Sequence, residues 1–427
     1  MHETNFPDHW KKIKLSNQDL FSFESGIWKG KKAPFEECAV VRNTNFTSDG
    51  YLDLTDVAVL PIEQRYLAKK KLKWGDIVIE RSGGGPKQPV GRVVFFNLND
   101  GKYCFSNFTS RLRVIDSDTI LPFYLFFYLL YFHDSGQTRQ LQQRTTGIRN
   151  LMFQDYKDTT IPLPPLPEQR AIAHILHTIQ EAKFTRQREI ALERERKAAL
   201  MDYLFSHGTK DEPRKQTEIG EIPESWEVVQ LKEIANLRRE NVKPNDNQNL
   251  NFVGLEHIDS GESNLKRWGD ASEVKSAKNH FYSDDVLYGK LRSYLDKAVI
   301  AEMEGICSTD ILVFTANSKA DPRFLVYLLH TEAFVNHAVA TSTGISHPRT
   351  SWDSLGKFTF AIPPLTEQRA IANIFQTIDE KTAALAREVE LIDELFHAML
   401  EELMTGQRSA MPLIDTEKHV LGISIFS

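Results

Sequence analysis

An acid, an amide and a base stand side by side at Glu168, Gln169 and Arg170, and the same trio returns at Glu367, Gln368 and Arg369. Such a cluster would suit proton transfer, but its context argues for another use. Pro162, Pro164 and Pro165 forbid helix before Leu166, and Pro167 fits a first helical turn. Glu168 then falls where a helix dipole favours a carboxylate. In the second copy Thr366 replaces Pro167 and is expected to cap the helix, with Glu367 next. Helix initiation and packing outweigh catalysis here. The residues assigned to this joint are Pro165, Glu168 and Arg170, then Pro364, Glu367 and Arg369.

A second kind of chemistry is ligation of phosphates and base edges. Residues 81–90 read RSGGGPKQPV. Three glycines and two prolines exclude a regular element. Glycine lets a backbone approach a ligand, and Arg81, Lys87, Gln88 and Arg92 supply donors around it. A plain hairpin loop would read the same way. In the second half Asp285-Val286-Leu287 matches Asp76-Ile77-Val78, and Lys290, Arg292 and Tyr294 follow at alternate positions. On a strand these three share a face that suits a nucleic-acid backbone, or simply solvent. Thr-Gly-Ile occurs at 146–148, followed by Arg149, and at 343–345, followed by His347 and Arg349. Those loops suit DNA reading; a polar connector would look alike.

The elements that must position these residues come twice. PPLPEQRAIAHIL starts at Pro164 and PPLTEQRAIANIF at Pro363. Each half opens on a P-x-x-W motif, Pro7 with Trp10 and Pro223 with Trp226, followed by alternating apolar residues (Ile13, Leu15; Val229, Leu231). Residues 57–62, 76–80 and 91–96 read as strands. The apolar runs Pro122 to Phe132 and Pro322 to His330 read as buried helices. Each repeated motif leads into a long charged segment without further proline, ending near Gly208 or Gly406. The second carries a seam at Ile371, Phe375, Ile378, Thr382, Leu385, Val389, Ile392, Phe396, Met399 and Leu403, in steps of four and three. The first keeps that seam only at its ends; its middle is polar, with Lys183, Arg186, Glu193 and Lys197. Pairing of the two helices is expected, with the middle weakly specified. Forty residues of helix span about 60 Å, against about 34–36 Å between major-groove sites on one DNA face.

Composition excludes several classes. The net charge of −6 confines any basic surface to local patches. The apolar run at 121–132 is too short to span a bilayer. The polar opening is not expected to be a signal peptide, and three distant cysteines suit a reducing cytoplasm. Metal-ligand spacings, a Walker A lysine, a dinucleotide glycine motif and the Asp/Asn-Pro-Pro-Tyr/Phe motif of amino-methyltransferases are absent from the sequence.

The doubled P-x-EQR-x-I signal, the P-x-x-W openings, the DVLYGKLRSYL stretch from Asp285 and the Thr-Gly-Ile loops together resemble the specificity subunit of type I restriction–modification systems, over nearly the whole chain. The resemblance implies an α+β fold, with two pseudo-symmetric globular target recognition domains separated by two long antiparallel coiled-coil helices. The domains are placed at 1–163 and 209–362, the helices at 164–208 and 363–407, and a tail at 408–427. The resemblance further implies a non-catalytic, cytoplasmic subunit. Each of its domains would read half of a bipartite site in double-stranded DNA, while the helices set the spacer. Two methyltransferase subunits and motor–nuclease restriction subunits are the implied partners. The chain itself would bind no cofactor or metal, with S-adenosylmethionine on the methyltransferase subunit. A self-sufficient restriction or modification enzyme and a non-DNA coiled-coil scaffold are the competing classes.

Overall fold

The computed structural model describes residues 6–27, 32–85, 88–145, 148–243, 250–410 and 412. Its contacts divide the chain into two compact units, residues 1–185 with 389–427, and residues 186–388. The division runs through the two long helices, Leu166–His207 and Leu365–Thr405, so each unit holds part of both. This differs from the division by chain order, in which each helix forms a segment of its own.

Each unit is built to one plan. In the first, strand Lys11–Lys14, just after Trp10, pairs antiparallel with Thr160–Leu163, with Ile13 opposite Ile161. In the second, Glu227–Gln230 pairs with Thr359–Ile362, with Val229 opposite Phe360. The opening motif of each half is thereby tied to the strand that runs into the prolines. An antiparallel four-stranded sheet follows. Its order is Phe21–Ser25, Thr109–Val114, Asp76–Glu80, Val93–Phe96 in the first unit, and Ala235–Leu237, Ile311–Ala316, Val286–Gly289, Ala298–Ile300 in the second. Asp76 and Asp285, the matched aspartates, are buried, and each takes a bidentate arginine, Arg113 and Arg238 respectively.

The apolar helices are Pro122–Asp134 and Pro322–Leu328, each with proline in its first turn. In the first unit this helix shares one core with Ile172, Leu176, Phe396, Leu400 and Leu403 of the long helices. In the second, Phe324 to Leu329 share a core with Met201, Leu204, Ile371, Phe375 and Ile378. The seam expected in the second long helix is buried at its two ends, and the ends serve different units.

The polar middle of the first long helix is specified by charge. Lys183 binds Asp393, at 2.5 Å, in the first unit. In the second unit Arg186 binds Glu388, Glu193 binds Lys381 and Lys197 binds Asp379. Residue numbers rise on one helix as they fall on the other, which is antiparallel pairing. Complementary charges set the register where the apolar seam lapses.

The C-terminal end of helix Pro122–Asp134, with His133 half-buried, carries two titrations of opposite sign. Burial pushes His133 down to about 4. Burial also pushes Asp134 up to about 6, with nearby His397 opposing and Asp49 reinforcing. Between roughly pH 4 and 6.5 the unfolded chain protonates His133 while the folded one does not, so stability is lost as pH falls through this range. Asp134 is protonated in the folded state before the unfolded one, so its contribution rises as pH falls through 6. The two nearly cancel. Asp134→Asn is expected to stabilise the protein by about 1–2 kcal/mol at pH 7.5, after discounting for partial exposure. It should also expose an acid-side loss from His133 that the unaltered protein hides. Urea midpoints from pH 7.5 to 4.5 check this; parallel curves for the two proteins would refute it.

Candidate nucleic-acid interface

The repeated trio is a structural joint. Glu168 is buried, and its carboxylate accepts from the indole N–H of Trp10 at 3.0 Å and lies 3.0 Å from Nε2 of His9. Glu367 is buried in the same way, and accepts from the indole N–H of Trp226 at 3.4 Å and from the backbone N–H of Thr209 at 2.8 Å. Gln169 accepts from the N–H of Leu121 and donates to the carbonyls of Thr119 and Pro164. Gln368 repeats all three bonds, with the N–H of Asp321 and the carbonyls of Lys319 and Pro363. One glutamine in each unit thus ties the end of a strand, the start of an apolar helix and the start of a long helix together.

Each joint is closed by the far end of the other helix. Gly406 (φ +73°) lies so close to Pro7 and Trp10 that a Cβ would overlap Pro7. Gly208 (φ +74°) stands in the same relation to Trp226 and Glu367. Only glycine meets both the positive φ and the close approach. Pro165 and Pro364 precede the helices and offer their carbonyls to Gln169 and Gln368. Thr366 lies inside the first turn, because helix begins at Leu365, so it is not the cap. Arg170 is exposed, and Arg369 Nε lies 3.4 Å from Asp321.

In the first unit the glycine-rich stretch is more ordered than its composition suggests. Ser82–Gly84 is a short strand on the edge of a hairpin formed by Gln142–Thr145 and Ile148–Leu151. Gly84 opposes Arg149, and a Cβ there would stand 2.7 Å from the carbonyl oxygen of Gln88. The glycines admit the chain's own backbone. Arg81 lies over the ring of Phe153, and burial lowers its pKa. Arg149 faces Gln142 at 3.5 Å, and Gln88 is exposed at the turn it closes with Gly85. Arg92 is a correction: its guanidinium is bidentate to buried Glu80 and also donates to the carbonyls of Asn43 and Phe46. Its donors are spent inside the fold. Lys87, Thr146 and Gly147, and the tail after Pro412, lie outside the described residues.

In the second unit the alternation at 290–294 is not a strand face. The strand stops at Gly289, Arg292 is left-handed (φ 54°), and Ser293–Leu295 is a short 3-10 turn. The backbone partners explain this, because Arg292 N–H donates to Pro348 O and Lys290 N–H to Asp310 O rather than to a neighbouring strand. Arg292 and Tyr294 are exposed; Lys290 is half-buried. The second Thr-Gly-Ile loop lies against this turn. Thr343 and Arg349 exchange two backbone hydrogen bonds of 2.9 Å, and Arg349 bridges to Leu291. The Arg349 guanidinium is bidentate to Asp310, whose carboxyl it holds below the usual range. His347 is exposed.

Each of the two stretches carries an arginine whose backbone is paired to a neighbouring segment, Arg149 to Gly84 and Arg349 to Leu291. They differ in length: Ile148 is followed directly by Arg149, whereas Ser346, His347 and Pro348 intervene before Arg349. The residues gathered on them are short polar, amide, aromatic and cationic side chains. A two-stranded β-ribbon of such residues has the width and the donors to enter a major groove.

The sequence profile of the type I restriction modification DNA specificity domain matches residues 7–194 and again 223–394. The chain belongs to this family. Both matches begin on the proline of a P-x-x-W opening and end within a long helix. A putative type I restriction enzyme specificity subunit, MjaX of Methanocaldococcus jannaschii, is 24% identical over 84% of this chain and 85% of its own length. The EcoDI specificity subunit of Escherichia coli is 24% identical over 73% of this chain and 77% of its own. The crystal structure of a type I restriction–modification S subunit from M. genitalium superposes with a TM-score of 0.57 at 15% identity, covering 94% of this chain and 97% of that one. That likeness carries the two-domain, paired-helix fold. Among the described residues no helix is long and apolar enough to cross a membrane, and no side-chain cluster would hold a metal ion.

Proposed function

We propose that this chain is the DNA-reading subunit of a type I restriction–modification complex, with each domain reading one half of a bipartite double-stranded site. The observation that carries this is the duplicated joint, from which two like-built domains present Thr-Gly-Ile loops of different length and composition. Duplication provides two reading heads, and divergence of the loops gives them different half-sites. The ladder of ion pairs and the glutamine joints support a role for the helices in fixing the spacer. The exposed candidates for DNA contact are Gln88, Arg292, Tyr294 and His347, with Lys290, Arg81, Arg149 and Arg349 beside them.

The chain is not itself the catalyst in this reading. The glutamate and glutamine of each trio are taken up by structural bonds, so methyl transfer falls to two partner methyltransferase subunits that carry S-adenosylmethionine. Motor–nuclease subunits complete the restriction complex. The test is to purify the chain with its methyltransferase, map the adenines methylated in host DNA, and measure binding to duplexes with either half-site scrambled. Loss on scrambling either half, and affinity that falls steeply with salt, are expected. Equal binding to all duplexes would sink the assignment, and methyl transfer by the isolated chain would establish the self-sufficient enzyme instead.

A further inference from the structure

Ile345 has the most exposed side chain among the large apolar residues described, at 102% relative accessibility. Singly exposed apolar residues are ordinary on protein surfaces, but this one sits on a tip that is held. The loop that carries it is closed at its base by the two Thr343–Arg349 backbone bonds. It is pinned sideways by Arg292 N–H to Pro348 O and by the Arg349–Asp310 ion pair. Gly344, at φ +103°, turns the chain into the tip. Beside it stand exposed Arg292 and Tyr294. In the first unit Ile148, of the other Thr-Gly-Ile, opens a strand opposite Thr145, and it is also exposed.

A branched aliphatic side chain neither donates nor accepts a hydrogen bond. The one group on a base edge in the major groove that matches it is the C5-methyl of thymine. The geometry points to Ile345 as a specificity-determining residue of the second domain, packing against a thymine methyl in its half-site, while the cationic and aromatic residues around it hold the backbone. This rests on the DNA-reading assignment above and adds which atom on the DNA is read.

The experiment uses the full chain copurified with its methyltransferase subunit, and duplexes carrying the mapped target. Each thymine of the half-site read by the second domain is replaced in turn by uracil, which removes only the methyl group. One position is expected to lose about fourfold in affinity, the worth of one buried methyl-sized group. Ile345→Ser should bind the thymine and uracil duplexes equally at that position, while still preferring the target over scrambled DNA. Its exposed loop position leaves folding unaffected, which circular dichroism checks. If the unaltered complex discriminates its target but ignores uracil at every position, the methyl contact is overturned while DNA reading stands. If uracil matters equally in Ile345→Ser, another residue reads the methyl and the assignment to Ile345 is overturned. If the complex prefers no sequence at all, the underlying reading fails with it.

Discussion

Replacing Gln368 by leucine is expected to cost the second unit about 3–9 kcal/mol, a large part of the about 5–15 kcal/mol that holds a typical domain together. The side chain is buried and makes three bonds of 2.9 Å, all to backbone atoms: the N–H of Asp321 and the carbonyls of Lys319 and Pro363. Leucine has nearly the same bulk, so little packing is lost. What is lost is the partner of one buried N–H and two buried carbonyls, at about 1–3 kcal/mol for each group left unsatisfied. Gln169→Leu should act alike in the first unit, because its three bonds are the same. Thr366→Ala, two residues away on an exposed position, is expected to stay within about 0.5 kcal/mol. Urea unfolding of the three variants separates these outcomes. A cost below about 1 kcal/mol for Gln368→Leu would mean that the joint does not depend on this side chain.

Why the glutamine escaped sequence reading is plain from its partners. They are backbone groups up to fifty residues away, and backbone carries no sequence signal. The prolines were legible because they act locally on φ and on the helix start. The glutamates stand in the first turns, but the dipole is only part of the reason, since tryptophan N–H groups hold both carboxylates. The repeat itself offered the clue: two tryptophans and two glutamates recurred together, and the structure joins each to each.

Arg92 shows the opposite failure. In the sequence its charge looks available, yet Glu80, on the neighbouring strand, takes up its guanidinium. Residues 290–294 alternate like a strand, but Lys290 N–H bonds to Asp310 and Arg292 N–H to Pro348, and periodicity cannot register such distant partners. The composition of the glycine run disfavours strand. The structure places a strand there because a neighbouring backbone needs the space a Cβ would fill. The polar middle of the first long helix was legible in principle: the second helix holds Asp379, Lys381, Glu388 and Asp393, the complementary charges in reverse order.

That ladder carries the second large effect. Lys197 reaches Asp379 at 2.5 Å, and the same carboxylate accepts from Ser263 Oγ at 2.6 Å and Tyr327 OH at 3.0 Å. Asp379 thus joins the two helices and the recognition domain within the second unit. Lys197→Met keeps a straight side chain of good helix propensity but strands a mostly buried carboxylate. Breaking such a pair from one side costs about 3–5 kcal/mol, because the remaining charge has lost its compensation. The double variant Lys197→Met, Asp379→Asn removes both charges and leaves an amide oxygen for Ser263 and Tyr327. It is expected to recover to within about 1 kcal/mol of the unaltered protein, since replacing a buried pair as a whole is close to neutral. Arg186→Met should cost under about 1 kcal/mol, because its pairing with Glu388 is open to solvent. A double-mutant cycle in urea reads the coupling directly. If the double variant is weaker than Lys197→Met alone, the pair stabilises through something other than mutual charge compensation, and register in the middle of the helices is set elsewhere.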